Sequence, residues 1–453
     1  VTNLKKTVTT VKKTATTGKK TLSPCESGEQ MRKTLPRTNL AAFRAKDRQR
    51  TPRELLDESM HDRVPALAAV KHDRMACSAF AYFRGAVPVM AYDLSLQPHT
   101  GIVTQLCGDA HVQNLGAYAG LDGRLLFDIN DFDETIRGPF EWDVKRMTTS
   151  ILLAGSTAGM KQAAATEAAA AFLNSYCELM GQFSRMAILS VVRYQVHRLG
   201  SVTPVEKILR KAQRCTPMGA LEHLTEKTAE GRVFKTNTPI LRPLNESEYG
   251  SVLASLAEYT ESLLPERRHF LSLFRPVAGG FKVVGTGSVG LRDYCILFEG
   301  NGPGDPLFLQ IKQESKSAYE PYLPKAVGVA ANDGQRTVEG QRAMQLQSDP
   351  MLGWTTIDGR SYLVRQLNDH KAGVNLTTLK AAGLAAYAAV CGELLARGHA
   401  RSGDARVIHG YVGTGKRFKE AIHGYAASYA AQTVTDWKAF VEAKGSGGKR
   451  KQK

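Results

Sequence analysis

The stretch CGDAHVQN at 107–114, answered by DINDFD at 128–133, decides how this chain is read. A short apolar segment, Ile102 to Leu106, reads as a strand feeding Gly108, and a junction of strand and loop is a usual place for chemistry. GLDG at 120–123 makes a hairpin turn, after which RLLFDINDFDE is a second strand that ends in a cluster of acids. Asp109 and Asn114 lie across a tight loop and can point into one cleft; the strand ending at Asp131 brings another acid beside them. Phosphoryl transfer requires this supply: a carboxylate near the attacking hydroxyl, and oxygen ligands that hold Mg²⁺ against phosphates. The plainer alternative is a set of polar turn residues capping strands.

Several neighbours admit more than one role. His111 is a ligand, a substrate contact or a hydrogen bonder that fixes the loop, and the last is preferred. Asp128 and Asp133 flank Asp131; Asp133 is the better second choice for a metal because it shares the strand face of Asp131. Asp143 opens a long helical tract running from Glu141 to about Met160, where it either ties down the loop or stabilises a helix N-terminus.

A second constellation lies far down the chain, GTGSVG at 285–290 followed by Lys312 in LFLQIK. Were a helix to follow, the glycines would suggest a dinucleotide site, but strand-like segments lie on both sides. Strand, glycine turn, strand, then a lysine on the next strand is the arrangement by which kinases cover ATP phosphates with backbone N–H groups and hold them with one charge. Gly285, Gly287 and Gly290 allow close backbone approach, and Lys312 reaches toward phosphate. Glu339, in the helix VEGQRAMQ, is the expected carboxylate partner of Lys312, with Glu320 as its rival. A snorkelling edge-strand lysine is the bland reading of Lys312.

The totals bound the rest. With 453 residues, 43% hydrophobic and 23% charged, the chain is long enough for two regions with their own cores. There is no run long and apolar enough to span a membrane and no apolar leader, so a soluble cytoplasmic protein is the default expectation. Seven scattered cysteines without CxxC pairs point to reduced thiols, not to a disulfide framework or zinc site. Most of the net charge of +17 is terminal: residues 1–50 hold thirteen Lys/Arg against three acids, and residues 444–453 hold five with none. A nearly neutral body with basic ends suits solvated tails capable of non-specific contact with nucleic acid or an anionic surface.

The segmentation that follows is a disordered basic tail over 1–50, a helical lobe with the acidic loop over 51–275, a β-rich lobe over 276–372, helices completing the helical lobe over 373–440, and a second basic tail over 441–453. Residues 200–275 carry no recognisable chemistry and read as an insertion or connecting helices. The fold class expected is α+β.

The acidic loop and the acids after it resemble the catalytic loop and metal-binding acid of aminoglycoside phosphotransferases and other kinase-like enzymes. That resemblance implies a two-lobed, protein-kinase-like fold that binds ATP and Mg²⁺, with Asp109 as catalytic base and Asn114 and Asp131 as metal ligands. The order of the halves is reversed, so the fold is expected to be circularly permuted, the helix from about Leu376 to Arg397 standing where kinases place the helix before the catalytic loop. Cys107 departs from the pattern, since kinases carry His there. DRMACSAFAYFRGA, CGDAHVQNLG, DINDFDETIRGPFEWDVKRM, VVGTGSVGLRDY, LFLQIKQ and ARGHARSGD together resemble a bacterial family known as domain of unknown function 2252, over about residues 50 to 435. Within its segments Arg74 and Arg84 are either contacts for an anionic substrate or structural ion pairs.

The expected activity is therefore ATP- and Mg²⁺-dependent phosphoryl transfer to an unidentified hydroxyl on a small molecule or protein. A nucleotide-binding module without transfer uses the same pocket. A metal-dependent phosphoester hydrolase built on Asp109, His111, Asp128 and Asp131 leaves Lys312 and the glycines without a role. A specific nucleic-acid binder ranks last, because the body has little net charge and no aromatic-basic platform.

Overall fold

The computed structural model describes residues 22–120, 122–196, 201–229, 231–238, 240–282, 289–324, 330–367 and 371–450, the last six of these by backbone alone. Its architecture is mixed α+β, with a helical region and a sheet region.

The sheet region forms around PLFLQIKQ. All eight residues of the strand Pro306–Gln313 are buried, as expected for an apolar run that neighbours cover on both faces. It pairs antiparallel with Asp293–Glu299 on one side and Arg360–Gln366 on the other. The full order of this six-stranded sheet is Gly353–Ile357, Arg360–Gln366, Pro306–Gln313, Asp293–Glu299, Arg275–Lys282 and Leu241–Pro243. Lys312 falls opposite Asp293 on one neighbour and Leu363 on the other, so it is an interior lysine and not an edge one. One apolar cluster, with Ile296, Leu309, Ile311 and Val364, receives Val252 and Tyr259 from the helix Glu246–Ser262. Another, with Leu297 and Phe308, is closed by Leu221 and Leu224 of the helix Pro217–Leu224. The sheet thus draws an edge strand and two covering helices from residues 217–262, ahead of Pro276.

In the helical region, Glu141–Thr157 is buried along almost its entire length. Gln162–Phe183 and Ala381–Ser402 pack closely, and Gly392 is required where they meet, since a Cβ there would run into the Phe172 carbonyl. Two small antiparallel sheets carry the acidic segments: Val103–Leu106 pairs with Ile136–Pro139, while Leu115–Ala119 lies between Leu125–Ile129 and Ala372–Gly373. The helix Asp333–Met344 bridges the regions, touching Gly353–Ile357 and Arg360–Gln366 on one side and Ala381–Ser402 on the other.

Both expected tails need correction. Residues 24–34 form a helix with a complete capping box between Ser23 and Glu26, and it packs on the helix Ala405–Val412. Arg32 and Arg37 donate to carbonyls of residues 410–412, Leu40 is fully buried, and Arg48 pairs with Asp93 at 2.6 Å and Asp436 at 3.0 Å. Arg32, Arg37 and Arg48 are therefore structural side chains, while Lys33, Arg44 and Lys46 stay exposed; residues 1–21 lie outside the described residues. At the other end the helix Lys416–Arg450 continues through most of the second expected tail. No helix among the described residues is long and apolar enough to cross a membrane.

Candidate functional site

The loop 107–114 is built from below. Gly108 has φ +81°, and a Cβ there would meet the Glu134 carbonyl, so both the backbone angle and the space call for glycine. Asp143, in the first turn of Glu141–Thr157, accepts from the backbone N–H of Cys107 at 2.7 Å and of Gly108 at 3.1 Å. His399 lies 3.4 Å from the same carboxylate, and its Nδ1 is 2.8 Å from the Tyr176 hydroxyl. Tyr319, arriving from the end of the sheet region, donates to the Gly108 carbonyl at 2.7 Å. Burial and the adjacent Asp143 charge push the Cys107 thiol well above its usual range, so it stays a neutral loop residue.

On this platform Asp109 is held by Arg146. Nε and Nη2 of the guanidinium reach Asp109 Oδ1 at 2.8 and 2.5 Å, leaving Oδ2 on the side of His111 Nε2, 3.5 Å away. Burial raises the Asp109 carboxyl above the ordinary range despite the lowering effect of Arg146. Burial, with Arg84 and Arg146 adding to it, drives the His111 imidazolium down, so the ring is neutral. The Gln113 N–H approaches Nδ1 at 3.1 Å and Arg84 Nε approaches Nε2 at 3.2 Å. A neutral imidazole has one lone-pair nitrogen, so either tautomer satisfies only one of these donors. Asn114 donates Nδ2–H to the Asp109 carbonyl at 2.7 Å, which leaves its Oδ1 as the atom to offer a cation.

The three acids Asp128, Asp131 and Asp133 have different surroundings, and only Asp128 lies within the strand Leu125–Ile129. Asp128 is buried and paired with Arg397 at 2.5 Å, so it is a structural anchor for the ARGHARSGD helix. The strand ends at Ile129, short of the expected run through Asp133, so Asp131 and Asp133 lie in the loop that follows, part-exposed on either side of buried Phe132. Lys312 Nζ forms a salt bridge with Asp133 and lies 3.7 Å from Asp131 Oδ1. Burial lowers the Lys312 ammonium, but Asp131, Asp133 and the buried Glu314 more than offset this, and its net shift is upward. Burial and the Asp133 charge raise Asp131; for Asp133 the effect of burial is outweighed by Lys312 and the hydrogen bond from Asp131, which hold it down. Glu314 is driven well up by burial and by Asp133.

Asp109, His111, Asn114, Asp131, Asp133 and Glu314 line one cleft of about 790 Å³. Lys312 does not line it but is bonded to two acids that do. The expected Lys312–Glu339 pair is corrected: Glu339 is exposed and accepts from Gln335 at 2.7 Å, because the helix turns Val338 and Gln341 inward instead. Glu320 is likewise elsewhere, 3.3 Å from Lys316. Gly285 and Gly287 fall outside the described residues. Gly290, with φ +99°, accepts from the Val64 N–H at 2.6 Å, so the end of the glycine turn is fastened to the N-terminal helices.

Those helices supply residues the motif reading passed over. Arg63 and Lys71 line the same cleft, as does Arg84, while Arg74 does not. The signal for Lys71 was present: it shares a buried helix face with Leu67 and Met75 at four-residue spacing. Burial, then the Arg63 charge, pushes its ammonium down to about 7.

Asp131, Asp133 and Asn114 are the cleft residues that could hold a Mg²⁺ ion, a cation that takes one or two carboxylates and completes its shell with water and phosphate. Asp131 Oδ1 is buried without a hydrogen-bond partner among the described residues, an atom available to such an ion. Among those residues no three His, Cys, Asp or Glu side chains gather into a self-sufficient metal cage.

A protein-family model matches residues 63–443, most of the chain. The chain belongs to that family, DUF2252. The family is described as an uncharacterized protein conserved in bacteria. No curated protein and no solved structure matches the chain.

Proposed function

We propose that this DUF2252 chain is an ATP- and Mg²⁺-dependent phosphotransferase of kinase-like type, with a circularly permuted two-lobed fold, acting on a hydroxyl acceptor. One observation carries the reading: Lys312, from the middle of a sheet, is bonded to Asp131 and Asp133, which line one cleft with Asp109, although the two segments lie far apart in the chain. A hydrolase of the acidic loop alone has no use for that convergence. The helix Ala381–Ser402 supports the permutation, since it contacts Val103–Leu106, and its Arg397 and His399 tie to Asp128 and Asp143 beneath the loop.

In this reading the acceptor hydroxyl approaches Asp109. Its oxygen bonds to the terminal phosphorus of ATP as the bond to the bridging oxygen breaks, ADP leaves, and the hydroxyl proton passes to Asp109 Oδ2. Arg146 holds the other oxygen and fixes the carboxylate's direction. A carboxyl raised by burial is a stronger base than a solvated one, which suits proton acceptance. Asp131, Asp133 and Asn114 would hold Mg²⁺, whose chemistry is to neutralise phosphate charge. Nucleotide phosphates would compete with the two acids for Lys312.

The fixed Arg146–Asp109 pair also favours a second reading, nucleotide binding without transfer, because an acid committed to an arginine is a poorer base. One experiment separates them. Mg²⁺-dependent stabilisation by ATP in thermal melts, together with ATP consumption that Asp109→Ala abolishes without loss of binding, supports transfer. Binding with the same slow ATP turnover in wild type and variant supports the second reading, and absence of any Mg²⁺-ATP effect refutes both.

A further inference from the structure

Lys71 is 2% exposed, yet it lines the cleft and makes no hydrogen bond or ion pair with any described residue. An ammonium this deeply buried with no carboxylate bonded to it is costly, since buried charges are ordinarily paired. Its surroundings add to the cost: Arg63 stands near enough to repel it, and only Glu134 acts in the opposite sense. Glu134 is engaged in another direction, accepting from the Ala318 N–H at 2.7 Å. Arg63 and Arg84 enter the same cleft, and burial, in each case the leading influence, lowers both guanidiniums. Three desolvated cations of one sign thus line a cleft that also holds Asp131, Asp133 and Glu314.

We propose that Lys71, with Arg63 near it and Arg84 lining the same cleft, forms an oxyanion site that takes a phosphate or carboxylate group of the second substrate. The acceptor is then an anionic molecule, its charged group lodged among these cations and its hydroxyl directed at Asp109. This rests on the phosphotransferase reading only in calling the ligand an acceptor; the oxyanion site stands on Lys71 itself. The position of the helix Pro65–Ala76 is set by the Val64 N–H on Gly290 and Arg63 Nη1 on the Val289 carbonyl, both 2.6 Å, so the site borders the glycine turn. That border makes the nucleotide's own phosphates the rival source of the anion.

Sulfate is a suitable probe because its charge does not change near neutral pH. Titration calorimetry of the full chain at constant ionic strength is expected to show saturable sulfate binding, about tenfold weaker in Lys71→Met and largely retained in Lys71→Arg. Binding should persist with saturating Mg²⁺-ADP. Equal affinity in Lys71→Met, or no saturable binding by wild type, overturns the site; competitive displacement by Mg²⁺-ADP overturns its assignment to the second substrate. If Lys71→Met does not fold, the wild type still decides: sulfate should protect the Lys71 amine from acylation, read by mass spectrometry, and unprotected labelling counts against the site. Should Mg²⁺-ATP fail to bind at all while Lys71-dependent sulfate binding holds, the phosphotransferase reading falls and the oxyanion site does not.

Discussion

Lys312 and Asp133, 179 residues apart in the chain, are joined by a salt bridge beneath the candidate cleft. The bridge fastens the central strand of the large sheet to the acidic segment that follows the strand Leu125–Ile129. Arg336 reinforces the junction, donating to the carbonyls of Asp133 at 2.9 Å, Thr135 at 2.6 Å and Ser315 at 2.8 Å. Arg365 adds a bond to the Asn130 carbonyl at 3.1 Å. The cleft is therefore held by charge and backbone contacts across the two regions, while each region keeps its own apolar core.

Removing that lysine leaves the part-exposed Asp131 and Asp133 and the buried Glu314 without their common cation. Lys312→Met is expected to cost about 2–3 kcal/mol at neutral pH, below the penalty of about 3–5 kcal/mol for breaking a fully buried pair, because solvent reaches both aspartates. The sign with pH follows from the acids. Without Lys312 their folded pKa values lie above the unfolded ones, so the folded state holds more protons and stability falls as pH rises. Thermal melts should show a deficit against wild type that is larger at pH 8 than at pH 5; a deficit independent of pH would mean that the lysine's packing, not its charge, supports the junction.

Asp128 and Asp131 have opposite loyalties, and conservative amides should expose this. Asp128→Asn halves a fully buried pair with Arg397 and is expected to destabilise by about 3–5 kcal/mol while leaving nucleotide affinity in the folded fraction unchanged. Asp131→Asn removes a carboxylate that burial and Asp133 already oppose, so its melting temperature should match or exceed that of wild type. What it should lose is the Mg²⁺ dependence of ATP stabilisation. Identical behaviour of the two variants would contradict the division into anchor and ligand.

How far the residues alone reveal this depends on the range of each contact. PLFLQIKQ announces a buried strand by composition, whereas the strand expected to run on through Asp131 and Asp133 stops at Ile129, and the acids after it lie in a loop that no periodicity marks. The partner of Asp128 is not legible that way, because Arg397 lies 269 residues on and nothing local marks it. Glu339 failed for a related reason: helical spacing places it on a face, but only packing decides which face turns inward. The helix after Leu22 is masked by the Lys/Thr-rich residues before it, although Ser23, Pro24 and Glu26 form a legible capping sequence.

That segment provides a direct test. Deleting residues 1–45 removes the helix Pro24–Thr34, the arginine bonds to residues 410–412 and the buried Leu40, whose side chain alone is worth about 1.5–3 kcal/mol. The melting temperature should fall markedly, and limited proteolysis should open the helices Ala405–Val412 and Lys416–Arg450 first. A truncated protein as stable as the full chain would show that residues 22–45 merely lie on the surface.

Lys71 predicts an unusual pH dependence of stability in the protein without ligand. Its folded pKa of about 7 lies below the ordinary lysine value of 10.5, so between those limits the unfolded chain binds the extra proton. Stability from this group therefore rises as pH increases from about 7 toward 10.5, by up to about 4–5 kcal/mol if no water relieves the burial. Arg63 and Glu134 face it, and burial moves Arg63 down and Glu134 up, so the slope is assigned to Lys71 by comparison with Lys71→Met. Lys71→Met removes an unpaired ammonium and keeps the apolar stem, and its stability advantage over wild type should be largest near pH 7 and shrink toward pH 10. Chemical denaturation at several pH values measures the difference; parallel curves for the two proteins would show that the amine is already paired or solvated, which would also remove the reason for an anion to bind there.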